Sequence, residues 1–309
     1  MPALCPSRLL FALLLECSSA GKLITRDEAK RLAPPKGGQR LQATLDLAWL
    51  HSNGTLFMPP DTTDILIEIG ANSRNTMDLE VMPNRTTSYL LTFEPILDKF
   101  ATLLSRNSRA DTKSILGRHH QRGTVLPYAV GKVDGFATFN LSPVDGCSSL
   151  LKAHRSRNET RYGPMADLCA PIESMASEAI FTEERRVPTI SLQTVLSKWL
   201  AWDGGGGWPI SFMKIDAQGF DTGIFDSIAG TGLVERIQAV SMETRKDGCR
   251  LLYETTGSSP HCGPMVHQMA KYGFKPDLDC RHTAFNKECE ADIIFRREGV
   301  RRGCGERPC

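Results

Sequence analysis

The sequence predicts an α/β protein: an open, mostly parallel sheet with helices on both faces. Three observations carry that expectation. First, Ile65-Leu66-Ile67-Glu68-Ile69 is a short run of branched apolar residues holding one acid, the signature of a strand buried on both faces. Gly70 follows, and then the polar run Asn72-Ser73-Arg74-Asn75-Thr76 offers helix N-caps ahead of Met77-Asp78-Leu79-Glu80. Second, from Asp64 onward apolar strands alternate with helical stretches, the rhythm of βαβ units. Third, three successive apolar strands run into an acid: Glu94, Asp216 and Glu243. In an open α/β sheet the carboxyl ends of the strands border the ligand crevice.

The first strand and its glycine turn form a nucleotide-binding opening. Gly70 allows a sharp bend, and its missing side chain is expected to let a ligand lie against the main chain. The second strand, Tyr89-Leu90-Leu91-Thr92-Phe93, ends in Glu94-Pro95. An acid some 20 residues beyond the glycine turn is placed to hold ribose hydroxyls. A dinucleotide fold needs G-x-G-x-x-G, so that backbone amides close on a pyrophosphate. Here Asn72 and Asn75 stand at the second and third glycine positions, and no G-x-x-x-x-G-K-[ST] occurs. A nucleoside ligand without phosphate fits better, and S-adenosylmethionine is the common one.

Further along, Ile96 to Leu104 has helical apolar spacing. Thr124 to Val130 reads as a third strand region, followed by a Gly131/Gly135 turn into Phe136-Ala137-Thr138-Phe139. Residues 142–186 are polar and irregular and read as an insertion or lid. Ser191 opens an amphipathic helix through Leu192, Val195, Leu196 and Trp199. Gly204-Gly205-Gly206-Gly207 lacks the Lys and hydroxyl of a phosphate loop and reads as a flexible connection. The strand Ser211 to Ile215 leads into Asp216-Ala217-Gln218-Gly219. Lys214 and Asp216 point to one side, because strand side chains alternate. Ile237 to Met242 leads into Glu243.

At 309 residues and 41% hydrophobic, the chain can bury a core in one large domain or two small ones. A net charge of +2 predicts neither nucleic-acid binding nor strong membrane attraction. Leu9 to Leu15 is too short to span a bilayer. With Ser18 and Ala20 behind it, residues 1–20 resemble a signal peptide, although Glu16 and a lone Arg8 also suit an N-terminal helix. Residues 21–60 read as an extension, in which Thr25-Arg26-Asp27-Glu28 is a capping box and Leu41, Leu45 and Trp49 share a helical stripe. Without residues 1–20 the cysteine count falls to eight, an even number, and four of the eight asparagines (Asn53, Asn84, Asn140, Asn158) head glycosylation sequons. Both counts favour the secretory pathway or secretion over the cytoplasm. The absence of a C-x-x-C pair speaks against a zinc cluster, so no metal is expected. Cys280 and Cys289 bracket a turn and are the first candidates for a disulfide among 105 possible pairings of eight cysteines. The tail beyond residue 297 is basic, carries Cys304 and Cys309, and reads as a solvated terminus.

Taken in order, eight pieces of the chain resemble the FkbM-type S-adenosylmethionine-dependent methyltransferases. They are Ile67-Glu68-Ile69-Gly70-Ala71-Asn72, Thr92-Phe93-Glu94-Pro95, Tyr128-Ala129-Val130-Gly131 with Gly135, and Val187-Pro188-Thr189-Ile190-Ser191-Leu192. Then come Met213-Lys214-Ile215-Asp216-Ala217-Gln218-Gly219-Phe220, Met242-Glu243, Tyr272-Gly273-Phe274 and Ala291-Asp292-Ile293-Ile294-Phe295. The resemblance spans residues 61–297 and implies a Rossmann-like class I methyltransferase sheet, seven-stranded and mostly parallel, whose last strand, around Ile293–Phe295, is antiparallel. It implies cofactor contacts from Glu68, Gly70, Ala71 and Asn72 to the methionine part, and from Glu94, with Pro95 beside it, to the ribose. Ala129 and Val130 would lie near the adenine. It also implies methylation of a hydroxyl on a sugar, glycan or small molecule. Asp216 would serve as base or acceptor-orienting group, with Lys214 and Glu243 positioning the acceptor. Two departures stand out: Arg74 where the family usually has glycine, and Gln218 where it usually has glutamate. A relative that binds cofactor or glycan without methyl transfer is the alternative.

Overall fold

The computed structural model describes residues 50–73, 77, 85–107, 122–142, 146–152, 183–201, 207–249, 251–255, 259–286 and 289–299. The expectations for residues 1–20, for the extension before residue 50, for Asp78-Leu79-Glu80, for Gly204-Gly205-Gly206, for most of 142–186 and for the tail beyond residue 299 lie outside these.

β1 (Asp64–Ile69) is the third strand of a seven-stranded sheet, in its interior. On one side β2 (Ser88–Phe93) pairs parallel with it, and β3 (Gly123–Leu126) pairs parallel with β2. Between them runs α1 (Leu97–Asn107), as the spacing from Ile96 predicts. A second, three-stranded sheet follows, made of β4 (Ala129–Gly131), β5 (Gly135–Leu141) and β6 (Glu183–Ser191) in the order β4-β6-β5. The chain then returns to the other side of β1 with β7 (Ile210–Ile215) and β8 (Ala239–Arg245), both parallel. The sheet closes with β9 (Phe274–Pro276) and the antiparallel β10 (Glu290–Arg297), giving the order β3-β2-β1-β7-β8-β10-β9. The antiparallel strand contains Ile293–Phe295, as expected.

Burial accounts for the unbroken apolar run of β1. Ile65, Ile67 and Ile69 pack into one cluster with Ile224 and Phe225 of α3 (Asp221–Asp226) and Met265 and Met269 of α4 (Cys262–Lys271). Leu66, on the opposite face, packs with Met77, Leu90, Phe212 and Ala239. Phe100 and Leu103 of α1 cover Val125 and Ala71. Both faces of the sheet are therefore covered, and removing one such side chain, as in Ile67→Ala, costs about 2–5 kcal/mol.

The structure redraws several expected boundaries. The third strand region is two strands in two sheets, because Pro127 has no N–H for a ladder and Tyr128 N bonds back to Leu126 O at 2.9 Å. β6 begins at Glu183, inside the stretch read as irregular. Ser191 does cap a helix, its hydroxyl accepting from Thr194 N, in α2 (Leu192–Thr194). That helix widens at once into a π turn, Val195–Trp199. There Arg236 donates to Leu196 O, while Leu200 N reaches past that carbonyl to Val195 O. β8 runs two residues beyond Glu243, which lies inside the strand opposite Asp292 and not at its end.

The cysteine pairing differs too. Cys280 does not pair with Cys289: among the described residues, disulfides join Cys249 to Cys289 and Cys262 to Cys280. The sheet register explains the first. Arg245 lies opposite Glu290, and Lys246 N donates to Cys289 O, so Cys249 and Cys289 follow the same edge of the ladder. Among the described residues no helix is long and apolar enough to cross a membrane.

Candidate functional site

The chain leaves β1 outward to β2 and β3, then returns on the other side with β7. A crevice therefore opens at the carboxyl ends of β1 and β7. A cavity of about 550 Å³ occupies it. Every residue nominated from the sequence lines this cavity except Glu68: Gly70, Ala71 and Asn72, Glu94 and Pro95, Ala129 and Val130, and Lys214, Asp216 and Glu243.

Glu68 lies behind the bend, 1% exposed, and its Oε1 accepts from Met77 N at 3.2 Å. It shares the face of Leu66, so it braces the turn from beneath. Gly70 bends at φ +78°, but its bare α-carbon makes room for the protein itself. A Cβ there would meet the carbonyl oxygen of Asp216 at 1.9 Å. The space of the missing side chain is thus taken by the end of the neighbouring parallel strand β7, while Gly70 itself lines the cavity.

Glu94 turns toward the bend. Its Oε2 accepts from Asn72 N at 2.7 Å and its Oε1 from Ile96 N at 2.9 Å, so the carboxyl is fixed in direction at 3% exposure. Burial pushes its pKa up to about 7, against the pull of those two amides and of Lys99. Each oxygen keeps a second lone pair for a ligand hydroxyl. Lys99 donates to Asn72 Oδ1 at 2.6 Å and steadies the same loop. Beside Glu94 the wall is apolar, with Ile96, Tyr128, Ala129, Val130 and Phe139.

The far wall is polar. Lys214 Nζ donates to Asp216 Oδ2 at 3.0 Å, and Gln218 Nε2 donates both to Asp216 Oδ1 at 3.0 Å and to Glu243 Oε2 at 3.1 Å. The hydroxyl of Tyr253 lies 3.0 Å from Gln218 Oε1 and 3.0 Å from Cys147 O. The Asp216 carboxylate favours this orientation of the amide: reversing it would turn its oxygen toward Asp216 Oδ1. Gln218 holds this place in the left-handed region, φ +51°, and Ser149 Oγ donates to its carbonyl at 2.8 Å. Asn286, Glu290, Ala291 and Asp292 complete the wall.

Electrostatics follow from this crowding. Burial alone would lower the pKa of Lys214, but the carboxylates of Asp216, Glu68 and Asp292 outweigh it and hold the ammonium charged. Glu243 is pushed well above its ordinary value by burial, then by Asp216, Glu290, Asp221 and Asp292. Asp221, behind the wall and fully buried, is pushed up to about 8 by burial and Asp216. The site thus holds one fixed ion pair, Lys214 with Asp216, beside a carboxyl, Glu243, whose surroundings favour its neutral form. Among the described residues no group of His, Cys, Asp or Glu is arranged to hold a metal ion.

Sequence reasoning missed Tyr253, Cys147, Asn286 and Glu290, which reach the site from loops or by cross-strand register and carry no local motif. Asp292 was signalled only within the terminal strand piece, and its place opposite Glu243 needs the β8–β10 register. Comparison of the chain with protein-family models, with curated proteins and with solved structures finds no match.

Proposed function

We propose that this chain is an S-adenosylmethionine-dependent methyltransferase of the FkbM type that methylates a hydroxyl on a small molecule or glycan. The observation that carries the reading is the carboxyl of Glu94, locked onto the amide of Asn72 beside the Gly70 bend, at the apolar end of a cavity whose other end holds Asp216, Gln218 and Glu243. Support also comes from the strand order, with the reversal at β1 and an antiparallel strand inserted near the edge.

The residues present fit such a cofactor. A cavity of about 550 Å³ falls within the range of about 300–1,000 Å³ that takes cofactor-sized ligands. Glu94 would hold the ribose hydroxyls, Ala129 and Val130 the adenine face, and Asn72 with the 70–72 backbone the amino-acid end. When bound, the cofactor supplies an already activated methyl group. The protein then has to align an acceptor oxygen and exclude water. Asp216, with both oxygens taken by Lys214 and Gln218, orients the acceptor. Glu290 and Asp292 give the acceptor side a negative cast that disfavours phosphorylated or carboxylated acceptors. The Cys249–Cys289 and Cys262–Cys280 disulfides and an exposed sequon at Asn53 support residence in the secretory pathway.

Co-crystallisation with S-adenosylhomocysteine tests the reading: the ribose belongs at Glu94 and the homocysteine at Gly70–Asn72. A second reading rests on Gln218, an amide where the family usually has an acid: a binder of cofactor or glycan that transfers nothing. Turnover against a panel of hydroxyl acceptors separates the two, since that protein binds cofactor and consumes none.

A further inference from the structure

We propose that Glu243 is the proton acceptor of this site and that the cofactor's positive sulfonium arms it by driving off its resident proton. The inference rests on the methyltransferase reading above. Its ground is the unequal use of two neighbouring carboxyls. Asp216 has both oxygens engaged, one by the Lys214 ammonium and one by the Gln218 amide. Donors on both oxygens leave it a poor base. Glu243 lends the protein only Oε2; among the described residues no donor reaches its Oε1, and the residue lines the cavity. A general base needs such an oxygen within reach of the acceptor hydroxyl.

The surroundings give Glu243 two states. Facing it are Asp216 and Lys214 from β7, Asp221 from α3, Glu290 and Asp292 from β10, Arg245 from its own strand, and the Tyr253 and Gln218 side chains. Lys214 is paired with Asp216 and Arg245 with Glu290, so the remaining charge is negative and favours a neutral Glu243. A cation entering the same cavity reverses that balance, and the carboxyl gives its proton to solvent. Glu243 is then a carboxylate only while an activated methyl group is present. In the transfer step the acceptor's hydroxyl proton passes to Glu243 as an oxygen electron pair bonds to the methyl carbon. The pair of the broken carbon–sulfur bond stays on sulfur. Gln218 and Tyr253 act as positioning residues, keeping an N–H on Oε2 so that Oε1 stays turned to the cavity.

Calorimetric titration at neutral pH, in two buffers of different ionisation enthalpy, counts the protons exchanged on binding. S-adenosylmethionine is expected to release up to about one proton more per site than S-adenosylhomocysteine. Glu94 meets the part common to both ligands, so its own protonation cancels in that difference. Glu243→Gln is expected to bind both ligands with the difference gone. Equal proton exchange for the two ligands in the native protein overturns the assignment, and so does a difference that survives in Glu243→Gln. If neither ligand binds, the cofactor reading falls and takes this one with it. Should the variant not fold, difference infrared spectra of the native protein decide: S-adenosylmethionine must remove one protonated-carboxyl component that S-adenosylhomocysteine leaves in place.

Discussion

The carbonyl oxygen of Asp216 stands 1.9 Å from the place where a side chain on Gly70 would begin. The two parallel strands that contribute to one site, β1 and β7, thus lie at close backbone contact where they end, and the contact fixes how far apart the Glu94 and Asp216 walls lie. Gly70→Ala would add a methyl group to a backbone at φ +78° and push it into that carbonyl. Left-handed strain of about 1–2 kcal/mol and overpacking of about 1–3 kcal/mol together give an expected loss of about 2–5 kcal/mol. Urea unfolding of the variant measures it, and a loss below about 1 kcal/mol would mean that the strands part easily.

Glu94 is held by two backbone N–H groups that both need an acceptor. Glu94→Gln keeps the shape but turns an amide NH₂ toward one of them, so one bond becomes a donor–donor contact. Stability is expected to fall by about 1–3 kcal/mol. The affinity for S-adenosylhomocysteine should fall at least about tenfold, because the bend is displaced and a ribose acceptor is lost. A variant that binds as tightly as the native protein would remove Glu94 from the cofactor site.

Asp221 has a fully buried carboxyl whose Oδ2 has no hydrogen-bond partner among the described residues, while Oδ1 takes a long bond of 3.4 Å from Ala217 N. Its pKa, raised from 3.8 to about 8 by burial and Asp216, means that between those values the folded state holds a proton the unfolded chain has lost. Stability therefore falls as pH rises through that window, and Glu94 adds the same sign between 4.5 and about 7. Asp221→Asn cannot ionise. It is expected to match the native protein near pH 4 and to exceed it by about 1–3 kcal/mol at pH 8. Melting temperatures across pH test this, and parallel profiles would contradict it.

The β1 strand was legible because its burial on both faces is written as an unbroken apolar run, and Glu94 because it ends the next apolar run, which pairs parallel beside β1. Gly70 was legible as a bend, but what fills its empty side was not, since that depends on Asp216, far along the chain. Gln218 shows the same limit: its residue type suggests a lost acid, whereas its place between Asp216, Glu243 and Tyr253 makes it the donor that holds two acids together. The second sheet escaped notice because β6 is polar at its start, with Glu183 to Arg186 exposed, and looks like loop. Tyr253 belongs to no periodic segment at all.

The sequons separate on exposure. Asn53 lies in an exposed turn with its Oδ1 accepting from Thr55 N and Thr55 Oγ1 at 3.0 and 2.8 Å, which brings the sequon hydroxyl to the asparagine. Asn140 is 3% exposed and spends its amide N–H groups on Ser149 O and Leu151 O. When the protein is secreted from a eukaryotic host, peptide mass spectrometry should find a glycan on Asn53 and none on Asn140. Unmodified Asn53 in secreted material would remove that support for a luminal setting.

The Cys249–Cys289 and Cys262–Cys280 disulfides bear on the acceptor wall. Cys249–Cys289 joins the ends of β8 and β10, the strands that carry Glu243 and Asp292. Cys262–Cys280 ties the start of α4 to the loop that leads through Asn286 into β10. Each closes a loop of tens of residues, spanning 40 and 18 positions, for which chain entropy gives about 3–4 kcal/mol of stabilisation. Replacing Cys249 and Cys289 together by serine is expected to lower stability by about 2–4 kcal/mol and to loosen the wall that holds Asn286 to Asp292. Ligand contacts at Glu94 lie on the other side of the sheet centre, so S-adenosylhomocysteine should still bind to the folded fraction. Non-reducing peptide maps must show 249–289 and 262–280 pairs, and a 280–289 peptide in native material would refute the arrangement of that wall.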